Sequence, residues 1–128
     1  MNVSTLAQSA YSKAASIAPS FQDVEYRAFG EITRQLKETA GGSRDVFAAR
    51  AEAIHKNLKL WSILATDVAG KENALPQVLR AQIFYLFEFT FLHSQKVLSG
   101  DADTEVLVDI NTAVMKGLRG DVAEAPVS

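Results

Sequence analysis

Apolar side chains recur along this chain at intervals of three and four residues. The stretches that keep this period are separated by glycine or proline at Pro19, Gly41, Gly42, Gly70, Pro76, Gly100, Gly117 and Gly120. That punctuation predicts five helices. The first, from about Val3 to Ile17, carries a thin stripe of Leu6, Ala10, Tyr11, Ala14 and Ile17, which implies a weakly held element. Ser20 caps the second, with Asp23 as capping-box partner, and Val24, Ala28, Phe29, Ile32 and Leu36 mark its buried side before Gly41 ends it. Ser43 caps a third that runs to about Ala69. Its Val46, Phe47, Ala51, Ile54, Leu58, Trp61, Leu64, Ala65 and Val68 fall on one broad face, leaving Arg50, Lys56 and Lys59 to solvent. Pro76 suits the first turn of a fourth helix, which continues to Ser99 and stops at Gly100. Asp101 or Asp103 then caps a fifth, reaching Leu118 with Val106, Leu107, Ile110, Ala113, Val114 and Leu118 on its apolar side.

The fourth helix carries the least ordinary pattern. Between Ile83 and Leu92 stand Phe84, Tyr85, Phe87, Phe89 and Phe91, with the single carboxylate of Glu88 among them. At about 100° per residue, apolar side chains cover most of the circumference, and Glu88 and Gln95 form a narrow wet strip flanked by Arg80 and Lys96. The alternation Phe87, Phe89, Phe91 would also suit a strand, but a strand would leave the helical period on either side unexplained. A bilayer span needs about 20 apolar residues, and this run is shorter and holds Glu88 at its middle. A helix apolar nearly all round is expected at the centre of a bundle, with most of its rings in the core and one or two lining a groove for an apolar helix from a partner. Short connectors between long helices therefore predict an all-α fold, a compact antiparallel bundle of four to five helices with this aromatic-rich helix central. Residues 1–118 form the single domain, and 119–128, without periodicity, form a disordered tail.

Composition changes this picture only at its edges. With 48% hydrophobic and 22% charged residues, the 128-residue chain has the make-up of a folding globular domain. It has no cysteine, so neither disulfides nor thiolate metal sites are available. The formal net charge of −2 speaks against a broad phosphate-binding surface. The opening MNVSTLAQSAYSKAASIA lacks the basic start and apolar core of a secretory signal, so a cytoplasmic location is expected.

Catalytic and metal chemistry find little support. Glu52 and His55 form a Glu-x-x-His pair, half of a carboxylate-bridged metal site. The other histidine, His93, has Thr90 at the matching position, so a solvated helix face is the better reading and no metal or cofactor is expected. No phosphate loop, nucleophile elbow or Cys/His pair is present, so no enzyme is expected. Asp67, Asn73, Arg80, His93, Asp109 and Asn111 are polar residues in apolar surroundings. They read as structural groups, with Asp109 and Asn111 tying the last helix to Arg80 or His93.

The run NLKLWSILATDVAGKENALPQVLRAQIFYLFEFTFLHSQKVL, followed by LVDINTAVMKGL, resembles the FlaF family of flagellar biosynthesis regulators. AQSAYSKAA and EYRAFGEITRQLK near the start resemble that family's opening segments. The most specific part is the order Asn57, Leu60, Trp61, Asp67, Val68, then Asn73-Ala74-Leu75-Pro76, Leu79-Arg80-Ala81, Tyr85, His93-Ser94 and Asp109-Ile110-Asn111. The resemblance implies a cytosolic, non-catalytic protein needed for flagellin production and export, acting as a flagellin-binding secretion chaperone. Its pathway partner would be FlbT, a regulator of flagellin messenger translation. The alternative is a translational regulator working through FlbT or the flagellin messenger itself. Helical geometry, independently of the resemblance, selects Trp61, Leu64, Phe84, Phe87 and Phe91 as the lining of a partner groove, with Arg80 and Tyr85 at its rim.

Overall fold

A computed structural model describes residues 2–17, 26–40, 44–70 and 75–119 of the protein. They form five α-helices: α1 (Val3–Ile17), α2 (Tyr26–Glu38), α3 (Phe47–Gly70), α4 (Gln77–Leu98) and α5 (Glu105–Leu118). A 3-10 turn at Arg44–Val46 leads into α3, and no strand occurs among the described residues. The all-α bundle read from the sequence is therefore the fold. The expected caps at Ser20, Asp23 and Ser43, the apolar Val24, the stop at Gly41, the connector residue Asn73 and residues 120–128 lie outside the described residues.

Helix ends follow local chemistry. Pro76 is the N-cap of α4, its φ of −57° being the value its ring imposes, and its carbonyl accepts the Arg80 N–H at 3.0 Å. At the other end Gly100 adopts φ +84°, donating to the Val97 carbonyl at 3.0 Å, while Asp101 donates to that of Lys96 at 2.8 Å. These two bonds make a Schellman stop, which needs a residue without Cβ at the left-handed position. At the start of α5 the Asp103 carboxylate accepts the Glu105 N–H at 3.0 Å. Thr104, the N-cap, turns its hydroxyl instead to the Leu36 carbonyl of α2 at 3.3 Å.

The helices close into a ring: α4 adjoins α3 and α1, α1 lies along α5, α5 on α2, and α2 on α3. Consecutive α4 and α5 touch only lightly. The strongest pairing, α1 with α5, joins opposite ends of the sequence, and small residues make it possible. Ala7, Ala10, Ala14 and Ala15 of α1 are buried, as are Ala113 and Gly117 of α5. A Cβ at position 117 would stand 2.5 Å from the Gln8 carbonyl oxygen and 2.9 Å from the Ser12 nitrogen, so only glycine admits this approach. The expectation of a weakly held α1 is thus corrected: Tyr11 is fully buried, and the alanines are the contact surface, while Ile17 stays exposed.

Trp61 is the centre of the main core. Its indole meets Tyr11 of α1 and Phe29 of α2 edge-on, each with ring centroids 6.1 Å apart. Leu64, Val68, Leu79, Ile83, Leu86, Ile110 and Val114 surround it. Leu36, Ala53, Ile54, Val97 and Leu107 form a second, smaller core. In α3 the pattern is right from Ile54 to Val68, but Phe47 is exposed and Arg50 is not simply solvated. The Arg50 guanidinium donates to the Thr39 carbonyl at 3.1 Å and lies 5.8 Å from the Phe47 ring, tying the end of α2 to the start of α3.

Candidate functional site

Two features stand out above this scaffold, one inside and one outside. Inside, Trp61 donates its indole N–H to the side-chain oxygen of Asn111 at 3.0 Å, and the Asn111 amide donates to that of Asn57 at 2.8 Å. All three residues are fully buried. The expectation that Asn111 reaches Arg80 or His93 is corrected by this network, because α5 faces α1 and α2 and only grazes α4. Asp109 is exposed, and the His93 ring instead pairs with the Asp103 carbonyl at 2.9 Å. Among the described residues the Asn57 amide nitrogen finds no hydrogen-bond partner, nor does the nearby buried Tyr11 hydroxyl. Burial pushes the Tyr11 phenol well above its ordinary value.

Outside, α4 presents aromatic rings to solvent. Leu79, Ile83, Leu86, Thr90, Ser94 and Val97 form its buried side. Of the five rings between Ile83 and Leu92, Phe84, Tyr85 and Phe91 are exposed, at 40%, 51% and 44%, and Phe87 and Phe89 are half-buried. The expectation of a central helix with most rings in the core is corrected: α4 is one stave of the ring, and aliphatic and small polar residues occupy its inner side. Exposed Val78, Leu92 and Leu98 extend the face. One flank is ordered by a ladder, with Tyr85 against Phe89 at 6.4 Å and Phe89 stacked on His93 at 6.1 Å.

The seven residues selected for a partner groove therefore separate. Trp61 and Leu64 are core, because the buried side of α3 faces the ring's interior and they stand at its middle. Phe84, Tyr85 and Phe91 share the outer face of α4, with Phe87 and Arg80 half-buried beside it. The Arg80 Nε is buried and has no hydrogen-bond partner among the described residues. What unites the exposed members of the set is the outer side of α4. A cleft of about 480 Å³ lies elsewhere, between α1, α5 and the end of α2, lined mainly by polar residues such as Thr5, Gln8, Lys37, Asp109 and Lys116. Val78, Leu92 and Leu98 were missed by sequence reasoning, although their spacing from Tyr85 and Phe91 was there to be read.

Glu52 pairs with Lys56 at 3.4 Å and His55 is exposed. Among the described residues no group of three or more His, Cys, Asp or Glu side chains could hold a metal ion. No helix among them is long and apolar enough to cross a membrane.

These features define a class: a small five-helix protein whose interior is tied by a Trp-Asn-Asn chain and whose fourth helix turns aromatic rings outward. The protein belongs to the FlaF family, since residues 7–118 match the sequence profile described as flagellar protein FlaF. No curated protein and no solved structure matched the chain.

Proposed function

We propose that this flagellar protein is a cytoplasmic, non-catalytic chaperone that binds flagellin and so supports its synthesis and export. The observation that favours this reading is the outer face of α4, where Phe84, Tyr85, Phe91 and Leu92 stand exposed side by side. Weighted by their exposed fractions, at about 150–250 Å² for an aromatic, these side chains together with Val78 and Leu98 present roughly 500 Å² of apolar surface. That is near the upper end for a monomer, and patches of such size mark interaction sites. A secretion substrate held unfolded has amphipathic segments to shield, and an aromatic helix face can cover their apolar sides.

Titrating purified flagellin monomer into the purified protein tests this directly. A one-to-one complex at tens of micromolar or tighter is expected, the range of transient encounters. No heat and no co-elution at that concentration would overturn the reading. FlbT would then act on the same pathway as a separate component, and adding it should leave flagellin affinity unchanged.

A further inference from the structure

The exposed positions of α4 are not scattered. Phe84, Phe91 and Leu98 recur every seven residues, and so do Val78, Tyr85 and Leu92. Between these two rows runs a third at the same interval, Ala81, Glu88 and Gln95, all exposed. Rows that repeat every seven residues stay aligned with a second helix laid alongside, which is how one helix reads another. Two apolar rails with a polar strip between them therefore match an amphipathic helix, and a charge at the centre of the strip dictates what that helix must carry there.

That charge also selects among occupants. Glu88 lies midway along α4, which spans Gln77–Leu98. If two copies of this chain paired through the full length of the face about a two-fold axis, parallel or antiparallel, each Glu88 would oppose the other, and like charges facing across an interface are disfavoured. A foreign helix with a cation at that level meets no such repulsion and gains a charge-assisted hydrogen bond. We infer that the outer face of α4 takes an amphipathic partner helix that carries a lysine or arginine opposite Glu88. This rests on the flagellin-binding reading above and names the chemistry of the segment that would be held.

Two synthetic helical peptides with heptad-spaced leucines, identical except for lysine or glutamate at the central position, test it on the full chain. The lysine peptide should bind at least tenfold more tightly, and the Glu88→Lys protein should invert that preference. Phe84→Ala/Phe91→Ala should abolish binding of both while leaving the unfolding cooperative and the midpoint close to the parent's, because both rings are substantially exposed. Equal binding of the two peptides, binding of neither, or binding indifferent to the double alanine variant would overturn the inference. So would a dimer of the free protein, seen by light scattering, that Phe91→Glu dissolves, since the face would then belong to a second copy. Flagellin titration separates the two readings: the peptide preference without flagellin binding sustains this inference and sinks only the choice of flagellin. Flagellin binding without the preference sinks this inference alone.

Discussion

Asn111 accepts a hydrogen bond from an indole 50 residues earlier in the chain and donates one to Asn57. Replacing it by alanine strands two buried groups and leaves a cavity among them, and each buried unsatisfied group costs about 1–3 kcal/mol. Asn111→Ala should therefore lose about 3 kcal/mol of stability in urea unfolding. The emission of Trp61, the single tryptophan, is the natural probe. Gly117 is constrained in a different way. In an exposed helix, alanine is favoured over glycine by about 1 kcal/mol, but at 117 the added carbon meets backbone atoms that cannot swing aside. Gly117→Ala should destabilise by about 1–3 kcal/mol. Gly30→Ala, with no atom of the described residues within 4 Å of the new methyl, should stabilise α2 slightly, so opposite shifts in melting temperature check the α1–α5 contact. Tyr11 gives the pH test. Its phenol is held neutral by burial, so its folded pKa lies above the unfolded value of about 10, and the stability it contributes is whole below that pH and lost as pH rises beyond it. An ultraviolet titration should show the Tyr11 phenol resisting ionisation until strongly alkaline pH, and a Tyr11→Phe variant should unfold at higher pH.

At the scale of the element, α4 shows a helix whose two sides do different work. Its inner side is aliphatic, and Leu86→Ala should cost about 2–5 kcal/mol, as core truncations do. Its outer side contributes little to folding, so Phe84→Ser and Phe91→Ser should each stay within about 0.5 kcal/mol of the parent in thermal unfolding. A strong loss from either would place those rings in the core. The surface of α2 is charged. The Arg34 guanidinium bonds to both Glu31 and Glu38, holding the Glu31 carboxyl at about 2. Because that pKa is depressed, its effect is present above the ordinary carboxylate range and fades as pH falls towards 2. Arg34→Ala should raise the Glu31 titration, followed by NMR, towards the ordinary carboxylate range, with the Gln35 hydrogen bond still holding part of the depression. The narrow polar strip of Glu88 and Gln95 marked the outer side of α4, since both are exposed and Leu79, Ile83, Leu86 and Thr90 lie opposite; what it left undetermined was how many of the rings beside the strip are exposed with it. Where polar residues are plentiful, as in α5, the periodicity named the buried positions correctly at Leu107, Ile110, Ala113, Val114 and Leu118.

At the scale of the whole molecule, the ring explains why the interior and the outer face are separate. Each helix has two neighbours, α3 and α1 in the case of α4, and the side turned away from both stays open. The sequence by itself determined the number of helices and the bounds of α4, because glycine at φ +84° and proline at a fixed φ act locally. It determined as well the all-α class, and the FlaF family was legible in the spacing of residues from Asn57 to Asn111. Only the tertiary structure decided that the alanine-rich first helix belongs against Gly117, since small residues leave almost no hydrophobic signature and act by letting backbones approach. It alone joined Trp61, Asn57 and Asn111, whose hydrogen bonds span 50 and 54 residues of sequence. It also settled which rings of α4 face water. Local periodicity reports which residues share a side of a helix; which side turns inward depends on where the other helices lie.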